Sequence, residues 1–345
     1  IEKDPIKLSL LYNMKNDYSD SKNKIGILIC NLGTPRSTST KDVRLYLNQF
    51  LMDKRVVDLP RMIWLPILKL IILNIRPRKS AKLYKSIWTK DGSPLMVFSQ
   101  SIVKKLSNSL DTKFTVSLGM RYGTPSLKEA LDVLRKQKIS NILVLPLYPQ
   151  AGSPTTSSTF DAVANYLTKI SWMPNLQFVS SYHDHPDYIN SLAKSINTSF
   201  QNKGRPDKLI FSFHGMPKRY LDNGDPYYCF CHKTARLVSE KLNFDEEFYE
   251  IAFQSRFGTE KWLEPYMDHL LINEAKNGTK HIQVISPGFA VDCLETLEEI
   301  KIQYHKLFIN NGGKNLEYIP CLNDSDDQIN LLKSIINDHT QNWSS

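Results

Sequence analysis

The stretch Lys208–Tyr228, KLIFSFHGMPKRYLDNGDPYY, decides the fold. Its apolar run Leu209–Phe213 stops at His214-Gly215, and Pro217 and the basic pair Lys218-Arg219 follow. A short β-branched and aromatic run closed by Gly and Pro predicts a buried strand that ends in a loop. His214 then stands at the C-terminal tip of that strand. In an open α/β sheet this is the edge at which ligands bind.

Working outward, the first part of the chain carries the same phrases in the same order. IGILICNLGTP precedes IFSFHGMP, with Gly33 and Pro35 in the places of Gly215 and Pro217. GMRYGTPSLKEALDVL precedes SRFGTEKWLEPYMDHLL, which aligns Arg121 with Arg256, and ILVLPLYP precedes IQVISPGF, which aligns Pro146 with Pro287. Three ordered matches predict two copies of one βα unit set, packed as related halves. The competing explanation is that two parallel-sheet domains resemble each other through patterning alone. The spacing differs between the copies: Gly33 and Arg121 are 88 residues apart, Gly215 and Arg256 only 41, an excess of 47 in the first. The apolar segment Met62–Ile75, MIWLPILKLIILNI, falls inside the excess. Two readings stand for it: an apolar flap with basic flanks, suited to a large flat ligand with peripheral carboxylates, or an ordinary buried helix.

These matches divide the 345 residues into a polar tail (1–23), a first half (24–180) with a flap insertion at about 52–98, a second half (181–320) and a C-terminal helix (321–345) expected to pack back on the first half. The 44 Lys and Arg against 35 Asp and Glu give a net charge of +9, which favours anionic partners. No Lys/Arg block with interleaved aromatics occurs, so nucleic acid is not an expected partner. Five cysteines without a CxxC pair argue against a zinc knuckle or a disulfide framework and for a reducing cytoplasm. Residues 1–23 lack an apolar leader, and Met62–Ile75 is too short, with Pro66 and Lys69 inside it, to cross a bilayer.

There is no GxGxxG after a strand, no Walker loop, no GxSxG elbow and no HExxH. What remains is His214 and the acidic run PGFAVDCLETLEEI, Pro287–Ile300. A helix starting near Asp292 would put Asp292, Glu295 and Glu299 on one face, with Glu298 flanking the row. One reading is a file of carboxylates carrying cations or protons into a cleft. The other is a capping box, with Asp292 at the N-cap and Glu295 at N3. One imidazole and one carboxylate, His214 and Glu295, facing each other across a cleft would make a weak, open divalent-metal site. Gly215 would let a ligand approach closely. Cys229 and Cys231, beside His232, read mainly as structural cysteines.

SFHGMPKRY, GDPYYC, FQSRFGTEKWLEPY and PGFAVDCLETLEEI resemble the signature segments of ferrochelatases, as do NLGTP, GMRYGTPSL and LPLYPQ, and most strongly those of Gram-negative bacteria. The resemblance runs from about residue 25 to Pro320. It implies an α/β fold of two similar Rossmann-like, chelatase-type halves, with parallel sheets flanked by helices and protoporphyrin IX in the cleft between them. It implies insertion of Fe²⁺ to give protohaem, with release of two protons. It implies that His214 and Glu295 are the catalytic and metal-site residues, that Asp292 and Glu299 form the supporting acidic face, and that Arg121, Tyr122 and Tyr220 serve substrate binding. Arg61, Arg76 and Arg78 are candidates to meet propionates. No cofactor is expected beyond the substrate iron. In particular no [2Fe–2S] cluster is expected, because the tail after Leu322 has no cysteine. A monomer in the cytoplasm is expected, peripheral at the membrane through the flap. The alternatives are a chelatase for another metal or tetrapyrrole, such as sirohydrochlorin or coproporphyrin, and a non-catalytic porphyrin or haem carrier on the same fold.

Overall fold

The computed structural model describes residues 24–343, so the polar tail at 1–23 lies outside the described residues. β1 (Ile25–Gly33) leads to α1 (Thr40–Leu51), whose N-cap Ser39 accepts from the Asp42 N–H. A broken helical run follows as α2 (Arg61–Pro66), a π-turn (Ile67–Ile72) and α3 (Leu73–Ile87). Then come α4 (Pro94–Ser109), β2 (Phe114–Tyr122), α5 (Leu127–Lys136), β3 (Asn141–Pro146), a π-turn (Ser153–Ser157), α6 (Ser158–Leu167) and β4 (Asn175–Phe178). The second series is α7 (Pro186–Lys203), β5 (Lys208–His214), α8 (Lys218–Asp222), α9 (Tyr227–Leu242), β6 (Tyr249–Gln254), α10 (Met267–Lys276) and β7 (His281–Ile285). A π-helix (Glu295–Tyr304), α11 (His305–Asn310), β8 (Asn315–Ile319) and α12 (Asp326–Thr340) complete the fold.

The strands form two four-stranded parallel sheets, ordered β2-β1-β3-β4 and β6-β5-β7-β8. The two orders are one topology written twice, so the repeat is architectural. The strand register corrects one of its markers. Asn31 pairs with Met120 in the first sheet and Phe213 with Phe253 in the second. In both, the loop that follows returns to that same paired residue: the Met120 N–H donates to Pro125 O, and the Phe253 N–H to Pro265 O. Arg121 therefore corresponds to Gln254, not to Arg256. The alignment slipped because the loop between β6 and Pro265 is longer than its partner between β2 and Pro125.

The strands are buried on both faces, as near-continuous apolar runs require. Phe211, Phe213, Ile27 and Ile29 face a core shared by both halves, into which α12 inserts Leu331, Leu332, Ile335 and Ile336. α12 packs against α4, β3 and α7. The opposite faces are covered by α5 and α6 in the first sheet and by α10 and α11 in the second.

The 61–87 run takes something from both readings of the insertion. Trp64, Leu68, Leu73 and Tyr84 are buried against Val43, Tyr46, Leu47 and Tyr122, and Trp64 Nε1 donates to Leu51 O at 2.7 Å. Its other side is bare: Met62 is 90% exposed and Leu70 72%, with Ile63, Ile71 and Ile75 all more than half exposed. It is a flap docked by one face.

Gly33, at the tip of β1, has φ +105, and a Cβ there would lie 1.8 Å from Tyr122 O. Only glycine meets both demands. Gly33→Ala should lower unfolding stability by about 3 kcal/mol or more. Urea denaturation that shows a loss well below about 1 kcal/mol would contradict the packing described.

Candidate active site

The C-terminal edge of the second sheet holds the candidate site. His214 is the last residue of β5 and is half-buried. Its Nδ1 lies 2.7 Å from Gly215 O. A carbonyl only accepts, so in the neutral ring Nδ1 carries the hydrogen and Nε2 presents its lone pair. The His214 carbonyl is fixed by Tyr227 Oη at 3.0 Å. Gly215 serves a purpose other than the expected ligand approach. Its N–H donates to Gln254 O at 2.7 Å, and a Cβ would sit 2.7 Å from that oxygen and 3.1 Å from Trp262. The glycine lets the turn after β5 press onto β6.

Gln254, in register opposite His214, joins this tip to the acidic helix. Its Oε1 accepts from Ser212 Oγ at 2.6 Å, and its Nε2 donates to the Glu295 carbonyl at 2.9 Å and to Glu299 Oε2 at 3.2 Å. Ser212 and His214 are two residues apart on one strand and share a face. His214, Gln254 and the start of the π-helix thus meet on one side of one sheet edge.

The helix differs from the expected one. Its helical residues begin at Leu294, so Asp292 lies before it, and Glu295–Tyr304 is wound as a π-helix. The i→i+5 winding pairs residues five apart: Gln303 donates to Glu298 at 2.5 Å, and Tyr304 Oη to Glu299 at 2.9 Å. The row of four acids therefore breaks up. Glu299 is also held by the Ser255 N–H at 2.9 Å. Glu298 is buried, and that burial raises its pKa. Asp292 is 4% exposed and is bound by Tyr318 Oη at 2.6 Å, Asn323 Nδ2 at 2.7 Å and Thr296 Oγ1 at 3.0 Å. It is neither a member of the helix face nor the expected capping box.

Glu295 is half-buried and turned to the flap. Burial pushes the Tyr46 and Tyr84 phenols well up, and the negative charge of Glu295 adds to both shifts. Desolvation of its guanidinium pulls Arg76 below the usual guanidinium range, against the pull of Glu295. The Arg76 guanidinium stands 5.9 Å from the Phe257 ring, so the flap reaches the loop after β6 in the second half. Arg61 and Arg78 also lie on the flap. Among the described residues, no three His, Cys, Asp or Glu side chains converge as metal ligands. His214 and Glu295 are thus a two-donor candidate. The extra length of the loop after β6 walls a cavity of about 600 Å³ between Arg256, Phe257, Lys261, Trp262 and Tyr266, whose lining includes neither His214 nor Glu295.

Arg121 and Tyr122 converge on Asp53, a residue with no part in the sequence expectations. Arg121 pairs with Asp53 and donates from Nε to Ser158 Oγ at 2.6 Å, while Tyr122 Oη donates to Asp53 at 2.8 Å and Ser158 Oγ donates to Asp53 at 2.6 Å. This is the first-half counterpart of Gln254 on the π-helix: in both halves, the tip of the second strand grips the helix after the third. A single acid just past α1, flanked by Lys54 and Arg55, was the available signal. Tyr220 donates to Arg55 O at 3.1 Å and so spans the two halves at the flap's entry. Cys231 is buried and Cys229 exposed, two residues apart on α9, and they do not converge.

A ferrochelatase family model matches residues 24–340. The chain belongs to the ferrochelatase family. The ferrochelatase of Nitrosococcus oceani is 49% identical over 333 residues, which is 95% of this chain and 90% of that protein. That of Marinobacter nauticus is 44% identical over 337 residues, 96% of this chain and 91% of that protein. Among solved structures, the cobalt complex of the sirohydrochlorin chelatase SirB from Bacillus subtilis subspecies spizizenii aligns with a TM-score of 0.56 over 92% of this chain and 96% of that one. At 9% identity this is a likeness of the two-half chelatase fold alone.

The Asp53 network makes the flap's anchorage depend on pH. Burial opposes ionisation of Asp53, but the hydrogen bond from Ser158, the Arg55 backbone N–H and the charge of Arg121 outweigh it, and its pKa is lowered. A lowered carboxylate contributes stability above its unfolded pKa of about 4 and loses it as pH falls through the folded value. Asp53→Ala should cost about 3 kcal/mol at pH 7, and the difference from the parent should shrink on acidification below about pH 4. Equal differences at both pH values in urea titrations would refute the linkage.

Proposed function

We propose that the chain inserts Fe²⁺ into protoporphyrin IX to form protohaem, as a lyase, with the metal passing between His214 and Glu295. The observation that carries the residue assignment is the Gln254 junction. It sets the β5 tip and the first turn of the π-helix on one edge, beneath the flap. The proposed unit is the second half, about 181–320, working against a flap at about 52–98 of the first half, about 24–180. Both walls of the cleft come from one chain, so the site is complete in a monomer.

The chemistry has fixed requirements. Two pyrrole N–H protons leave, two nitrogen lone pairs replace them on the metal, and the planar macrocycle must bend to expose a lone pair. Apolar contact with the flap and ion pairs to the propionates supply the binding energy for that distortion. Arg76 stands on the flap where it faces Glu295, with Arg61 and Arg78 as further cations. His214 Nε2, with its lone pair free of the Gly215 contact, accepts a pyrrole proton or holds the incoming ion. Glu295 takes the complementary role, and Glu299 braces the helix behind it. Arg121, Tyr122 and Tyr220 serve the porphyrin by holding Asp53 and Arg55 at the flap's entry. The reaction needs no cofactor beyond the substrate iron.

An anaerobic assay of Fe²⁺ with protoporphyrin, followed by loss of porphyrin fluorescence, tests the reading. Turnover is expected, and porphyrin binding without metallation would leave a carrier instead. His214→Ala should abolish turnover, by more than about 100-fold, while the protein still binds porphyrin. Near-normal turnover in that variant would sink the assignment.

No described helix is long and apolar enough to cross a membrane. The bare flap face, with Met62, Leu70 and Ile71 beside Lys69, Arg78, Lys79 and Lys82, suits peripheral contact with an anionic membrane surface, on the side facing a reducing compartment. Leu70→Ser with Ile71→Ser should reduce co-sedimentation with vesicles containing anionic lipid. Unchanged sedimentation would place the contact elsewhere.

A further inference from the structure

Asn323 lies in the loop between β8 and α12, in the left-handed region with φ +51. Its amide grips Asp292 twice. The Asp292 N–H donates to Asn323 Oδ1 at 2.8 Å, and Asn323 Nδ2 donates to Asp292 Oδ2 at 2.7 Å. The Asn323 N–H adds a bond to Ala290 O at 3.0 Å. One side chain thus imitates a rung of sheet between two loops. The second carboxylate oxygen, Oδ1, is occupied by Tyr318 Oη and by Thr296 Oγ1, and Thr296 is the residue after Glu295. One step along the loop, Asp324 reaches the first half. It accepts from Ser101 Oγ at 2.5 Å and pairs with Lys105 at 3.0 Å, both on α4.

The π-helix has no side-chain cap of its own. Its wider winding leaves the position of its first turn to be fixed from outside. We propose that Asn323 is a positioning residue: through Asp292 it sets where the π-helix begins, and so where Glu295 points, and through Asp324 it ties that setting to the first half of the cleft. This inference rests on the ferrochelatase reading above. It changes the part of Asp292 from a carrier in an acidic file to a buried anchor. A carboxylate with both oxygens taken by side-chain donors, and 4% exposed, is closed to an exchanging ion.

The test is a swap. Asp292→Asn alone sets two amide NH₂ groups against each other, and Asn323→Asp alone sets two carboxylates together. The double variant Asp292→Asn with Asn323→Asp restores donor to acceptor in the opposite sense and keeps the Tyr318, Thr296 and Asp292 N–H bonds satisfiable. With wild-type metallation established first, each single change should lower kcat by about tenfold or more with porphyrin KM nearly unchanged, the signature of a misplaced group rather than lost binding. The swap should return kcat to within about threefold of the parent. A swap as slow as Asp292→Asn alone would overturn the proposal, since a carboxylate would then be needed at 292 itself. Asn323→Gly keeps the left-handed backbone and removes only the clasp, so it decides the matter if the other variants fold poorly. It should keep the parent's near-ultraviolet circular dichroism and porphyrin binding yet lose kcat, and parental kcat in that variant would equally overturn the proposal. A wild-type protein that binds porphyrin without metallating it would instead refute the functional reading, and a crystal structure of Asn323→Gly with the helix start at Leu294 and the Glu295 side chain unmoved would then overturn the clasp.

Discussion

A single glutamine amide sets the geometry of the second half. Gln254 takes a hydrogen from Ser212 on the central strand and gives two to the π-helix, one to the Glu295 carbonyl and one to the Glu299 carboxylate. Its side chain is buried, so each of these bonds is made without competition from water, and leaving any one unmade would cost about 1–3 kcal/mol. His214 on β5 and Glu295 on the helix belong to segments about eighty residues apart. The parallel pairing of β5 with β7 brings both to one edge, and this junction fixes the helix against the β5 tip.

The same device in the first half shows how one fold was turned to two ends. There the strand tip presents Arg121, and the helix after the third strand presents Ser158, but the charge they share is Asp53 at the root of the flap. Leu32 occupies the place of His214 and joins the flap's apolar cluster. The first half has spent its repeat on holding a cover. The second has spent its repeat on holding ionisable groups. The two halves are joined by Tyr220 Oη on Arg55 O and by the Ser153 N–H, which donates to the Asp225 carboxylate at 2.7 Å.

Much of this architecture was legible in the residues. Runs such as Leu209–Phe213 and Ile142–Pro146 are too apolar for half-exposed strands, and their ordered recurrence implied the doubled sheet. The placing of His214 at a strand tip and of Glu295 on the following acidic helix followed from the same pattern. The misreadings have local causes. Aligning Arg121 with Arg256 trusted residue identity over strand register, which a longer loop had shifted by two. Putting Asp292, Glu295 and Glu299 on one face assumed α-winding from Asp292, and π-winding has no compositional signature. Gln254 and Asp53 were missed because their importance lies in partners about 40 and 70–105 residues away, which no local spacing reports. Gly215 was read as room for a ligand when the space is filled by a neighbouring strand.

The central claim is that the metal's place lies between the β5 tip and the first turn of the π-helix. Crystals of the porphyrin-free protein soaked anaerobically with Co²⁺ as a surrogate for Fe²⁺, measured at the cobalt absorption edge, test it most directly. The account predicts an anomalous peak flanked by His214 Nε2 and the Glu295 carboxylate. A peak on other ligands, with none between these two side chains, would contradict it.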